Sequence, residues 1–239
     1  MGSAVTEPRD RQTVESPAAL RPGGRPGTWT LVSGVEVALA ALAVILDLGI
    51  PTFVILALML VSLLIRRQGL STMGFHRVPH AWAFAAKMLA FAAGWTLLNI
   101  GLLKPIENHL TGAKQDMSQF MALKGNLAML LIWIALSWTV AAVGETLAFI
   151  GFIQTRITDV IGSTGARLAA AVVLSSVLLG LLHTEYGIVG VLVSAVDGVF
   201  YNFLRYRYKT LWAPILAHGL IDTIGFVSFF LIGPVYGLW

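Results

Sequence analysis

The chain has 239 residues, of which 57% are hydrophobic and only 12% charged, with a mean hydropathy of +0.81. A soluble domain carries about 25% charged residues, so a soluble globular domain is excluded, and the lack of sustained period-two alternation argues against a transmembrane β-barrel. The net charge of +4 comes from basic loops rather than a nucleic-acid surface, and the absence of cysteine excludes disulfides, a thiol nucleophile and thiolate metal sites.

Residues 1–28 are polar, with four prolines and four arginines. They lack the apolar stretch that a secretory signal places directly after its basic start. They read as a disordered cytoplasmic tail ahead of a single transmembrane domain over residues 29–239. Apolar runs near the length of about 20 residues that crosses a bilayer then recur to the C-terminus. The first is expected from Trp29 to Leu46, closed by the turn Asp47-Leu48-Gly49-Ile50-Pro51, and a short second from Thr52 to Ile65. A polar connector, Arg66 to His80, leads to the third, Ala81 to Leu103, and Lys104 to Gly125 reads as a polar loop. The fourth, Asn126 to Thr155, is long. The fifth runs from Ala166 to His183, the sixth from Ile188 to Leu204 and the seventh from Leu211 to Leu231. The fold class expected is an all-α membrane protein, a polytopic bundle of about seven transmembrane helices.

Alternating these spans from a cytoplasmic N-terminus places Arg9, Arg11, Arg21, Arg25, Arg66, Arg67, Arg77, Lys87, Arg156, Arg167, Arg205, Arg207 and Lys209 on the cytoplasmic side. Only Lys104, Lys114 and Lys124 fall on the other. Such a bias is what the positive-inside rule expects. The chain therefore reads as a multi-pass protein of a bacterial cytoplasmic membrane, with its N-terminus inside.

Four polar or ionisable residues lie within these spans: Glu145, His183, His218 and Asp222. Such groups are costly in lipid and mark functional sites by default. His218 and Asp222, four residues apart, share one helix face. By helix rise, His218 lies about 10 Å from the cytoplasmic end of its span, and His183 lies about 24 Å past Arg167. The two histidines are thus offset in depth. Asp47 and Glu185 fall at span ends, where solvation accounts for them. Glu36 sits inside the first span, and Asp197, mid-span in the sixth, has Asn99 and Asn202 as candidate partners. His76-Arg77-Val78-Pro79-His80 spaces two histidines four apart, but it lacks a glutamate, contains proline and lies in a loop, so it is no zinc-protease helix.

Three motifs resemble those of the CPBP family of intramembrane proteases, which includes the type II CAAX prenyl endopeptidases and relatives linked to bacteriocin self-immunity. The resemblance covers roughly residues 70–226. Glu145-Thr146-Leu147-Ala148-Phe149-Ile150-Gly151 matches the family's Glu-Glu-x-x-x-Arg stretch; Leu179-Gly180-Leu181-Leu182-His183 matches Phe-x-x-x-His; His218-Gly219-Leu220-Ile221-Asp222 matches His-x-x-x-Asn or Asp. Thr146 and Ile150 stand where the family has its second Glu and its Arg. Helical residues four apart can pair, so losing both charges together leaves no buried charge alone. The exchange reads as neutral packing in place of a structural ion pair.

The resemblance implies an endopeptidase that hydrolyses a peptide bond in a membrane-associated peptide or protein. Glu145 would act as general base on a water that His183 positions, and His218 with Asp222 would stabilise or orient at the oxyanion. An ionised Asp222 cannot donate a hydrogen bond; either its apolar setting holds it protonated or, the favoured reading, it accepts from His218 and orients that ring. No cofactor is expected. Zinc held by Glu145, His183, His218 and Asp222 is the alternative, not favoured because no pair forms a dedicated zinc motif. The partners expected are the peptide substrate and the lipid bilayer, with no nucleic acid. Two rival classes fit the same residues: an inactive peptide-binding or immunity scaffold, supported by Thr146 and Ile150, and a proton-coupled transporter, for which no internal repeat is evident.

Overall fold

A computed structural model describes residues 26–234, and every regular element among them is helical. The seven long helices are α1 Pro26–Ile45, α2 Pro51–Arg66, α3 Ala81–Thr111, α4 Leu127–Ile161, α5 Gly165–Leu181, α6 Gly187–Tyr208 and α7 Trp212–Ile232. Helices α1, α3, α4, α6 and α7 are long and apolar enough to cross a membrane, and α2 and α5 are shorter apolar helices. The chain is a polytopic helical membrane protein. Of the expected N-terminal tail, residues 1–25 lie outside the described residues, and α1 begins at Pro26 rather than at Trp29.

Local chemistry sets several boundaries. Pro51 opens α2, where its missing N–H costs nothing. The helix closes on Arg67, whose backbone is left-handed (φ 51°) and whose N–H reaches the Leu63 and Leu64 carbonyls. Asn126 caps α4 by accepting from the Met129 N–H at 3.2 Å. The expected loop from Lys104 to Gly125 is corrected in its first third. Lys104–Thr111 is helical and continues α3, and Gly112 (φ 66°) ends it. The polar composition suggested a loop, but Asn99–Leu103 winds with π-type spacing just ahead of Pro105. That widening lets the helix pass a proline that would break regular α bonding.

Consecutive helices run antiparallel and gather the loops at two ends. At one end the Leu211 N–H donates to the Gly74 carbonyl at 2.9 Å, and Ser33 donates to Asp159 at 3.2 Å. At the other end the Asp116 N–H donates to the Tyr186 carbonyl at 3.0 Å, and the Gly125 N–H to the Phe230 carbonyl at 3.0 Å. Phe120 sits there among Trp133, Tyr186, Phe226 and Phe229. We refer to these as the arginine end and the aromatic end.

The core is built on α4, whose Phe149, Ile150, Phe152 and Ile153 are fully buried. Large apolar side chains such as Leu64, Leu97, Leu131, Phe203 and Leu231 point outward, as lipid-facing residues do. Helices α5 and α6 approach through small residues. A Cβ on Gly180 would stand 2.5 Å from the Val191 carbonyl oxygen, and one on Gly198 would stand 2.9 Å from Ser176 Cα. Small residues of this kind let membrane helices approach backbone to backbone.

Glu36, which sits inside the first expected span, ties three helices together at the arginine end. Its Oε2 lies 3.0 Å from Arg66 of α2 and 3.1 Å from Arg156 of α4, and Arg156 also pairs with Asp159 at 2.8 Å. All of this cluster except Asp159 is buried. Removing one partner from a buried charge pair typically costs about 3–5 kcal/mol, because the other charge is left alone. Glu36→Gln is therefore expected to destabilise the bundle by about that amount, read as a lowered unfolding midpoint of the purified protein in detergent.

Candidate active site

The four polar residues singled out in the sequence line one cavity of about 820 Å³. This is near the upper end of the range of about 300–1,000 Å³ typical of ligand sites. Its walls come from α2 to α7, from the turn before α2 and from the loops after α3 and α5. Within it the four residues form two pairs.

The first pair joins α4 to the end of α5. His183 Nε2 lies 3.8 Å from Glu145 Oε2. The offset in depth expected between His183 and His218 is not seen: both line the same cavity, His183 beside Glu145 and His218 beside the next residue, Thr146. His183 Nδ1 lies 2.9 Å from the Leu179 carbonyl. A carbonyl only accepts, so this contact assigns the ring hydrogen to Nδ1 and leaves Nε2 of the neutral ring as an acceptor facing Glu145. Glu145 Oε2 is buried and has no hydrogen-bond partner among the protein atoms. Buried polar atoms are nearly always satisfied, so an exception calls for an explanation, a bound water or a catalytic role among them.

The second pair lies on α7. His218 Nε2 stands 3.6 Å from Asp222 Oδ2, too long for a direct hydrogen bond. The expected hydrogen bond from His218 to Asp222 is thus replaced. Asp222 accepts from Ser137 Oγ of α4 at 2.7 Å, and His218 is held from its other side by Thr146 Oγ1, 3.3 Å from Nδ1. Tyr201 of α6 stacks on the His218 ring at 4.6 Å between centroids. The next residue, Gly219, lies against the Trp138 ring, where a Cβ would come within 2.7 Å. Trp138 in turn donates to Thr223 at 3.1 Å.

Sequence reasoning did not find Ser137, Trp138 or the contact that Thr146 makes. Thr146 had been read only as the loss of a charge. It is buried, and its hydroxyl is the closest polar neighbour of His218 Nδ1. Ile150 is fully buried in the core, and its backbone carbonyl accepts from the Arg205 guanidinium of α6, which also reaches Thr155 at 3.1 Å. Glu145, Thr146 and Ile150 all fall in the stretch Ser137–Ile153, where α4 winds with π-type spacing. Such windings are rare and often sit at functional sites. No residue signal in the sequence marks this one.

Asp197 also lines the cavity. It accepts from Trp95 Nε1 at 2.6 Å and from Asn99 Nδ2 at 3.1 Å, both on α3. Asn202, the other candidate partner, bonds Ser175 on α5 instead. Among the described residues, no three His, Asp or Glu side chains are grouped to share one metal ion.

Residues 127–224 match the family described as type II CAAX prenyl endopeptidase Rce1-like. The match begins at the first residue of α4 and contains Glu145, His183, His218 and Asp222. No curated protein and no solved structure matches the chain. The helices from α4 through most of α7 are thus similar to the type II CAAX prenyl endopeptidase Rce1-like family, a likeness at the level of CAAX-type proteases.

Proposed function

We propose that the chain is an intramembrane endopeptidase that hydrolyses a peptide bond in a membrane-associated peptide or protein, with Glu145 as general base. The observation that carries this reading is the buried, unpartnered Glu145 Oε2 facing the acceptor nitrogen of His183 across 3.8 Å. Two acceptors at that separation suit a bridging water that donates one hydrogen to each. Its oxygen lone pairs are then turned outward, toward a scissile carbonyl lying in the cavity.

In the proposed reaction the water oxygen bonds to the carbonyl carbon as Glu145 takes the proton. The carbonyl π-electrons move onto oxygen, and His218 Nε2–H stabilises the resulting oxyanion. Glu145 then returns its proton to the amide nitrogen as the C–N bond breaks, releasing an amine and a carboxyl group. Thr146 supports this role for His218. If its hydroxyl donates to Nδ1, the ring hydrogen is kept on Nε2, where the oxyanion needs it. Asp222, fixed by Ser137, orients the ring electrostatically from 3.6 Å. The chemistry needs no metal, and the four side chains act as two pairs. The charge bias along the loops supports an N-terminus on the cytoplasmic side of the membrane.

Glu145→Gln keeps the shape of the side chain and removes the base. It is expected to lower peptide cleavage in liposomes, followed by mass spectrometry, by about 10²–10⁴-fold, the usual range for a general base. Cleavage at the parental rate by this variant would exclude Glu145 as the base. A peptide-binding scaffold would cut with neither chain and would keep its binding in the variant.

Thr146→Val removes the hydroxyl at nearly constant volume. The loss of one hydrogen bond worth about 1 kcal/mol predicts a fall in kcat of roughly fivefold. KM is expected to stay constant, and Thr146→Ser to restore the rate. An unchanged kcat in Thr146→Val would show that His218 does not depend on it.

A further inference from the structure

The two ends of the bundle differ in charge and in how they are closed. The arginine end carries Arg66, Arg67, Arg77, Lys87, Arg156, Arg167, Arg205, Arg207 and Lys209. It is sealed by polar contacts across helices. Glu36 joins α1, α2 and α4; Gln154 of α4 donates to Tyr206 of α6 at 3.0 Å; and Thr210 donates to the His76 carbonyl at 3.2 Å. None of these residues lines the cavity.

The cavity reaches the surface at the other end. Its exposed lining residues are Asp47, Gly49, Ile50, Phe53, Leu136 and Glu185, in the turn and first residues of α2, the first part of α4 and the loop after α5. Every wall follows this placement. The lining residues of α3 run from Thr96 to Lys104, in the half nearest the aromatic end, and those of α6 stop at Tyr201. On α7 they run from His218 toward Phe229. Basic residues in the segments flanking membrane helices are retained on the cytoplasmic side. The arginine end is then cytoplasmic, and the mouth opens on the opposite face.

We infer that the cavity admits its substrate from the non-cytoplasmic side of the membrane. Extended to substrate class, which rests on the endopeptidase reading above, the peptide is one held by an apolar segment in the outer half of the bilayer. Ile50, Phe53 and Leu136 give the mouth an apolar sill at that level, and Asp47 and Glu185 give it a wetted rim. A lipid-modified C-terminus lying on the cytoplasmic leaflet would meet the sealed end instead.

The chain contains no cysteine, so single cysteines in the full-length protein report position without background. Thr184→Cys marks the aromatic end, Ser71→Cys the arginine end, and Val140→Cys and Ala141→Cys the cavity wall. Each would be treated with a membrane-impermeant maleimide in intact bacterial cells expressing the chain, and again after permeabilisation. The expected result is full labelling of Thr184→Cys and of at least one cavity-wall variant in intact cells, with Ser71→Cys labelled only after permeabilisation. Labelling of Ser71→Cys in intact cells, or of both cavity-wall variants only after permeabilisation, would overturn the inference. So would protection of both cavity-wall variants under all conditions. None of these readouts needs catalysis. The substrate arm uses proteoliposomes sorted by orientation, with peptides offered to one face at a time. Cleavage only from the Thr184 face is expected, and cleavage from the Ser71 face would overturn the inference while leaving the protease intact. Absence of cleavage from both faces, with the labelling as expected, would remove the endopeptidase reading and keep the access face.

Discussion

Bulk water does not solvate the hydrocarbon core of a bilayer, so each polar side chain carried into it must meet another polar group or a wetted cavity. That constraint organises the interior of this bundle. Asp197 of α6 is met by Trp95 and Asn99 of α3. Asn202 and Ser175 join α6 to α5, and Ser175 donates on to Gln154 of α4 at 2.7 Å. Asp222 is met by Ser137, and His218 by Thr146. Each contact crosses between helices, so each also fixes how two helices are rotated against one another. Glu145 Oε2 is among the buried polar atoms without a protein partner, and its residue lines the cavity.

Much of this architecture is legible in the amino-acid order, because hydropathy is a local property. Seven apolar runs become seven helices, and the capping residues Pro51 and Asn126 stand where the runs begin. The Lys104–Thr111 segment was misjudged because its polar residues suggest a loop, whereas helical continuation depends on the π-type winding before Pro105. The spacing of Glu145, His183, His218 and Asp222 was equally readable, since motif spacing is linear. Their pairing was not. Which group His218 uses to hold its ring depends on how α4 and α7 are rotated, and Ser137 and Asp222 are 85 positions apart. Asn99 and Asn202 were equal candidates for Asp197, and only the packing of α3 on α6 separates them.

The departures from the family motif acquire a physical account. A Glu and an Arg four residues apart would stabilise each other along one helix. Here that internal pair is replaced by contacts made outward from the same helix. Thr146 reaches a histidine on α7, and the Ile150 carbonyl takes a guanidinium from α6. The Ile150 carbonyl lies in the π-wound stretch, where Arg205 reaches it. The exchange turns a bond within one element into bonds between three, which makes the α4–α6–α7 arrangement part of the site itself.

The glycine contacts between α5 and α6 set a limit on motion. With Gly180 against the Val191 carbonyl and Gly198 against Ser176, the two backbones have no side-chain layer between them to absorb a shift. They form one stiff wall, carrying His183, Asp197 and Tyr201 as a fixed unit. Across the cavity from this wall, α2 and α3 present Phe53, Thr96 and Ile100. A side chain larger than glycine at either contact would have to push α5 and α6 apart, and with them the residues they carry into the cavity.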